Sequence, residues 1–484
     1  MTKASLKIET DYIRTTHREF IAASDKALRT PSLQIILGQL GDTLGERNRE
    51  AWRLLPNSDL VRQRARQIKD ETLAHLHEHL QTLEASVHRR GGQVHWAEDG
   101  DEACRIIVDL IQQRNATRVV KSKSMTTEEI HLNPALAAAG IDTVETDLGE
   151  YIIQLAGHRP SHIVGPALHL SAKEVAEILS VPAGRPLAVE REGLAAFARE
   201  QLRQKFAEAE VGISGANFAV AETGTIVLVS NEGNARLTTS LPKMHIAIMG
   251  MEKVIPKLAD LPYFLKVLAR AATGQKLSVY TSFITGARRE GETDGAEEFH
   301  LVILDNGRSR ILGSPLRESL FCIRCGACLN ACPIYRSVGG HAYGGVYAGP
   351  IGAVLTPLYD GLAANQHLPH ASSLCGACQA ACPVKIQIPE MLVQLREQLH
   401  HEPALKNRWE NLAYRLWAKT LRKPWLYRLS TWLATRTIGR WYRKNPWLTS
   451  LPGKLKGWTL KRDFPAPAAR RFRDWWNEEG RHES

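Results

Sequence analysis

Seven of the eight cysteines of this 484-residue chain fall between Cys322 and Cys382, at two related spacings. The first group reads Cys322-Ile-Arg-Cys325-Gly-Ala-Cys328-Leu-Asn-Ala-Cys332-Pro333, the C-x2-C-x2-C-x3-C-P run that holds 4Fe-4S clusters. The second, Cys375-Gly-Ala-Cys378-Gln-Ala-Ala-Cys382-Pro383, repeats its last three positions, with Ser372 where the first cysteine would stand. Three thiolates two residues apart on a tight loop converge on one cube, while the fourth, followed by proline, turns toward the other cluster. This spacing predicts Cys322, Cys325, Cys328 and Cys382 on a first cluster and Cys332, Cys375 and Cys378 on a second. The second is one thiolate short: its fourth iron falls to Ser372 or to a non-protein ligand, or is missing, leaving a 3Fe-4S centre. Gly326, Ala327, Gly376 and Ala377, between the ligands, let backbone N–H groups approach the sulfurs and tune the potential.

Two other uses of cysteine fit less well. Zinc knuckles need four ligands per ion and do not use this run. A disulfide framework belongs to secreted chains with spread cysteines, whereas the residues Met1 to Thr10 lack an apolar core followed by a small-residue cleavage site. With no apolar run of about 18 residues, the expectation is a cytoplasmic protein without a spanning helix.

The net charge of +11 is unevenly placed. From His401 to Ser484 there are 19 Lys and Arg against 7 Asp and Glu, a net +12, so the other 400 residues together carry −1. Nine of the 11 tryptophans lie in the same stretch, with only Trp52 and Trp96 outside it. Trp409, Leu412, Leu416 and Trp417, then Trp425, Leu429, Trp432 and Leu433, recur at helical spacing with Arg and Lys on the other face. Such a region packs on the cluster domain, attaches to an anionic membrane surface, or binds nucleic acid through charge and stacking.

The elements that must position the cysteines read as four regions. Residues 1–70 are helical, broken at Pro31 and Pro56. Residues 71–305 begin with a helix over Lys69 to Arg90, whose His75 and His79 lack the Glu of an H-E-x-x-H zinc site and read as a polar face. Short apolar strands then alternate with helices, including strands near Gln93–Trp96, Arg118–Val120, Thr143–Glu145, Phe218–Val220, Thr225–Val229, His245–Ile248, Leu277–Tyr280 and His300–Leu304. A helix is predicted over Thr126 to Ala139, capped by Ser124 or Thr126 with Glu128 and Glu129 in its first turn. The alternation predicts a largely parallel sheet flanked by helices. Residues 306–400 hold the cysteines and a closing helix from Glu390 to His400, and 401–484 form the basic tail.

In open α/β sheets ligands sit at the carboxyl ends of strands. Polar loops expected there are Lys121-Ser-Lys-Ser124, Glu145-Thr-Asp-Leu-Gly-Glu150, Glu222-Thr-Gly-Thr225 and Glu232-Gly-Asn234-Ala-Arg236. Their candidate catalytic residues are Lys121, Glu222, Asn234 and Arg236. No G-x-G-x-x-G or G-x-x-x-x-G-K-[ST] run is present, which argues against a Rossmann site or P-loop.

Lys121-Ser-Lys-Ser-Met125, Glu145 to Glu150, Pro160-Ser-His-Ile163 and Glu222 to Thr225 together resemble the LUD domain of the lactate utilization proteins. With Cys-Ile-Arg-Cys-Gly-Ala-Cys and the tryptophan-rich tail, the whole chain resembles the iron-sulfur subunit of that family. The resemblance implies an α/β LUD domain with an open sheet like that of CoA transferases and sugar isomerases. A helical, ferredoxin-like two-cluster domain and a helical basic tail would follow it. It also implies an L-lactate dehydrogenase system, oxidising L-lactate to pyruvate, in which this chain works beside a cysteine-rich partner and a second LUD protein. The function expected is an electron relay through two iron-sulfur clusters toward an acceptor, with the tail offering peripheral attachment at the inner face of the membrane. The alternative is that the LUD crevice itself binds lactate or an acyl substrate with the clusters as acceptors. A nucleic-acid role through the tail is the third reading, and no nucleic-acid partner is expected.

Overall fold

The computed structural model describes residues 16–163, 165–402, 408–441, 447–451, 453–459, 462–466, 468 and 470–480. The expectation drawn from Met1 to Thr10 lies outside the described residues. The chain divides after His400 into two units.

The larger unit is built on a six-stranded, wholly parallel sheet. Its strands are β1 (Gln93–Ala97), β2 (Arg118–Lys121), β3 (Asp142–Glu145), β4 (Val211–Ser214), β7 (Met244–Gly250) and β10 (Glu298–Leu304), in the order β1-β10-β7-β4-β2-β3. A sheet covered on both faces needs strands that are apolar throughout, and every residue of β4 and β7 is buried. β4 escapes a sequence reading because Val211-Gly-Ile-Ser214 is short and carries a glycine. That glycine is required: a Cβ on Gly212 would lie 1.8 Å from the Thr238 carbonyl oxygen.

One expected sheet proves to be two. β5 (Phe218–Val220), β6 (Thr225–Ser230), β8 (Val254–Ile255) and β9 (Tyr280–Ile284) form a separate mixed sheet ordered β8-β5-β6-β9. β5 and β6 are an antiparallel hairpin. Period-2 and short apolar runs look alike in either kind of sheet, so the sequence does not separate them. The strand expected at Leu277–Tyr280 begins only at Tyr280.

Two predicted helices are broken. Lys69 to Arg90 divides at His75 into Ser58–Ala74 and Leu76–Arg89. Thr126 to Ala139 divides into Met125–Glu129 and Leu132–Ala138, with His131 between them in the left-handed region at φ 55°. Ser124 is the N-cap, accepting from the Thr127 N–H.

The N-terminal helices hold the rest together. Pro31–Arg53 packs on both Leu261–Thr273 and Tyr335–Val338. The Gln34 side chain donates to the Ser337 carbonyl (2.8 Å), and that of Asn48 to the Arg270 carbonyl (2.6 Å).

The smaller unit contains helices Arg408–Arg422 and Pro424–Trp441, which pack on each other. No helix among the described residues is long and apolar enough to cross a membrane.

Candidate metal centre and adjoining crevice

The two cysteine groups adopt the same local fold. Each begins on a left-handed residue, Arg324 (φ 59°) or Leu374 (φ 55°), passes through one cysteine, and reaches a left-handed glycine, Gly326 or Gly376. Each then makes one short helix, Ala327–Ala331 or Ala377–Ala381, ending at an extended cysteine, Cys332 or Cys382. Pro333 and Pro383 follow, and the residue before proline is disfavoured in the helical region. The two short helices pack on each other, placing each group's last cysteine near the other group's loop.

The thiols divide accordingly. Cys322, Cys325, Cys328 and Cys382 line one apolar cavity with Ile163, Ile323, Ile351, Val384, Ile386 and Ile388. Burial, reinforced by Cys382 and Cys322, holds the Cys325 thiol well above its ordinary range. Burial also raises Cys328, with Cys322, Cys325 and Cys382 adding to it, and pushes Cys382 up to about 12. The other three sense one another: Cys375 acts on Cys332, and both act on Cys378, pushed up mainly by burial to about 11. Cys375 is exposed, and the Ala377 N–H with the Ser373 hydroxyl lowers its pKa. Tyr343 lies buried where it feels Cys332, Cys328 and Cys378, and its hydroxyl has no partner among the described residues.

The donor set suits an iron-sulfur group. Thiolates are soft ligands, and N–H groups directed at the sulfurs stabilise them. Those of Ala327, Ile351, Ile334, Tyr335 and Gln379 serve Cys325, Cys328, Cys332 and Cys378. The Ile386 N–H reaches Cys382 Sγ at 3.4 Å. Among the described residues no three His, Cys, Asp or Glu side chains close on a point that would hold a single ion; a cluster's thiolates bind separate irons around it. Ser372, opposite Cys322 in the repeat, uses its Oγ to accept the Leu374 N–H at 3.1 Å.

A buried ionic knot binds the cysteine loops to the parallel sheet. Arg308 donates to both Glu129 oxygens (2.8 and 2.9 Å) and to Glu252 Oε2 (2.6 Å). Arg324, between the first two cysteines, lies 3.4 Å from Glu252 and over the Tyr347 ring. Tyr347 in turn donates to Glu129. Burial alone would raise Glu252, but Arg308 and Arg324 outweigh it and bring it to about 2. Arg62, from a helix whose sequence suggests no chemistry, donates to the Cys382 carbonyl at 2.6 Å.

The crevice at the sheet is equally specific. Chain leaving β2 turns outward to β3, whereas chain leaving β4 turns the other way to β7. Adjacent parallel strands whose connections diverge open a cleft at their carboxyl ends. There Lys121, at the end of β2, pairs with Glu145, at the end of β3, at 2.7 Å. Burial by itself would lower Lys121; Glu145 outweighs it and keeps the ammonium charged. Glu128 is pushed up to about 7 by lost hydration, and Glu150 is raised well above its ordinary value by burial and by Glu128 and Glu145. Glu145 Oε2 and Glu150 Oε1 are buried without partners among the described residues.

Three of the four polar loops therefore approach one another. Lys121 is buried against Glu145, and Glu232, near Asn234, comes within 3.5 Å of the Leu148 N–H and feels Asp147. Asn234 Oδ1, in the first turn of helix Asn234–Ser240, is buried with no partner among the described residues, while Arg236 is exposed. Glu222 belongs elsewhere. It sits exposed at the β5–β6 hairpin turn, its Oε2 accepting the Leu258 N–H. Glu128 and His162, noted in the sequence as a first-turn helix acid and as part of a LUD-like motif, are absent from the candidate catalytic residues, because only the fold brings them to one crevice.

Three family models match successive parts of the chain. The LUD domain model matches residues 80–304, a 4Fe-4S dicluster domain 318–386, and the C-terminal domain of lactate utilisation protein B 393–481. Lactate utilization protein B of Oceanobacillus iheyensis is 48% identical over 429 residues, 89% of this chain and 90% of that one. That of Shouchella clausii is 45% identical over 470 residues, 96% and 95% of the two chains. The crystal structure of a DUF162 family protein from Deinococcus radiodurans aligns with 47% of this chain and 98% of its own, at 14% identity and a TM-score of 0.27. With two relatives matched along nine-tenths of their length, this chain belongs to the lactate utilization protein B family.

Proposed function

We propose that this chain is the iron-sulfur electron-transfer subunit of an L-lactate oxidation system, passing electrons between an oxidising partner and an acceptor. The observation that carries this reading is the division of the seven thiols into a set of four around one apolar cavity and a set of three beside it. Each cluster, when bound, takes up and releases single electrons. Cys322, Cys325, Cys328 and Cys382 would hold the first, and Cys332, Cys375 and Cys378 the second. The surrounding isoleucines exclude water from the first set, while the exposed Cys375 leaves the second open to a docking protein. The partners that fit this reading are a cysteine-rich protein and a second LUD protein. The C-terminal unit would bring the assembly to an anionic membrane surface.

EPR of anaerobically purified full-length protein tests the relay, recorded as isolated, after dithionite, and after L-lactate with the two partners. A reduced-cluster signal that needs both lactate and partners is expected, and Cys325→Ala should abolish lactate-dependent electron flow. Undiminished flow through a variant without clusters would overturn the relay.

A further inference from the structure

The segment between the cysteine groups turns back on them between Gly339 and Gly344. Both glycines are left-handed, at φ 70° and 75°, and His341–Tyr343 makes one tight helical turn between them. Tyr343 is carried inward by this turn and is only 1% exposed. Its ring is held from two sides. Phe20, on helix His17–Leu28, meets it edge-on with ring centroids 6.0 Å apart, and the Tyr335 ring lies at 6.1 Å. A ring clamped in this way fixes where its hydroxyl points.

Tyr335, Tyr343 and Tyr347 are all buried beside the cysteine groups, but only two of their hydroxyls are occupied. Tyr335 donates to the Ser161 carbonyl at 2.8 Å, and Tyr347 donates to Glu129. The Tyr343 hydroxyl has no partner among the described residues. Burying a hydroxyl unpaired costs free energy that a phenylalanine of nearly the same shape would avoid. Besides burial, the groups that act on this hydroxyl are Cys332 first, then Tyr335, Cys328 and Cys378. It therefore stands where the two thiol sets adjoin, and two of the three thiols, the strongest included, belong to the second set.

We propose that the Tyr343 hydroxyl donates a hydrogen bond to a sulfur of the second cluster and raises its reduction potential above what the backbone N–H groups alone would give. A sulfur is an acceptor that this buried donor lacks, and hydrogen bonds to cluster sulfurs are among the terms that set the potential. A donor there stabilises the reduced, more negative form. The second set also carries the exposed Cys375, so the raised potential draws the electron to the side from which it can leave. The inference deepens the electron-transfer reading and rests on it only for the presence of the two clusters.

Potentiometric titration of full-length, cluster-loaded protein, followed by EPR, tests the proposal. Tyr343→Phe is expected to lower the second cluster's reduction constant about tenfold, which is about 59 mV for one electron, and to leave the first cluster in place. Deuterium ENDOR of the reduced second cluster should lose one exchangeable deuteron in the same variant. Tyr335→Phe, whose hydroxyl serves Ser161, should leave the potential unchanged. If Tyr343→Phe sheds its clusters, fluorotyrosine placed at position 343, a stronger donor, should shift the second potential upward instead. An unmoved second potential would overturn the proposal. So would an equal shift of both clusters, or the same shift in Tyr335→Phe, since either would mean packing and not the hydroxyl proton. Failure of lactate with partners to reduce the clusters, with the Tyr343 shift intact, would count against the relay and leave the hydrogen bond standing.

Discussion

Glu128 and Glu129 are neighbours in one helical turn, and their carboxyls are driven in opposite directions. Glu128 faces the crevice and rises to about 7 as it loses water. Glu129 is buried, which would raise it too, but Arg308, Tyr347 and Asn306 hold it below the ordinary value. In the sequence both read as acidic residues at a helix N-terminus, because that local role is real and the distant partners are invisible. The cysteines differ in this respect: their spacing carries the chemistry by itself, and the substitution of serine at position 372 is legible for the same reason. Ser372→Cys should supply the second set with its fourth thiolate. EPR of the air-oxidised full-length protein should then show any 3Fe-type signal replaced by that of an intact 4Fe-4S centre. An unchanged 3Fe-type signal would mean that position 372 does not face the open iron.

At the scale of elements, β–α alternation made a parallel sheet legible, since strands covered on both faces must be apolar runs separated by helices. It could not assign Phe218–Val220 and Thr225–Ser230 to a second sheet, so Glu222 was expected at a ligand-binding strand end and lies instead on a hairpin. What joins sheet to cysteine loops is the knot around Arg308, drawn from helix Arg308–Leu312, helix Met125–Glu129 and the turn at Glu252. Arg308→Met leaves Glu129 and Glu252 buried without their main counter-charge and should cost about 3–5 kcal/mol. Glu252 has a folded pKa near 2 against an ordinary 4.5. Its stabilisation is therefore present above pH 4.5 and is lost as pH falls toward 2. Denaturant unfolding across this range should show the gap between wild type and variant narrowing below pH 4.5. A constant gap would rule out the ion pair as its source.

Across the whole molecule, the C-terminal unit contrasts with the rest of the chain. Trp409 is 81% exposed, Trp417 62% and Trp425 61%, in a region whose net charge is +12. Exposed indole rings among Arg and Lys suit the headgroup layer of an anionic bilayer. Full-length protein should co-sediment with phosphatidylglycerol-containing vesicles, release at high salt, and lose most of this binding in a Trp409→Ser/Trp417→Ser/Trp425→Ser variant. Equal sedimentation with neutral vesicles would contradict a charge-driven attachment.

The amino-acid sequence by itself determined the number and spacing of the thiols, the repeat they form, the parallel character of the sheet and the basic, tryptophan-rich end. Each is written in short-range spacing or in composition, and needs no distant residue to be read. The tertiary structure decided which loops meet. Lys123, Glu128, His162, Ile163, Gly340 and Val346 lie up to about 220 residues apart in the chain, yet border one crevice. Their meeting depends on strand order and on which way each crossover turns. Those outcomes are set by packing over the whole unit, and no local pattern encodes them.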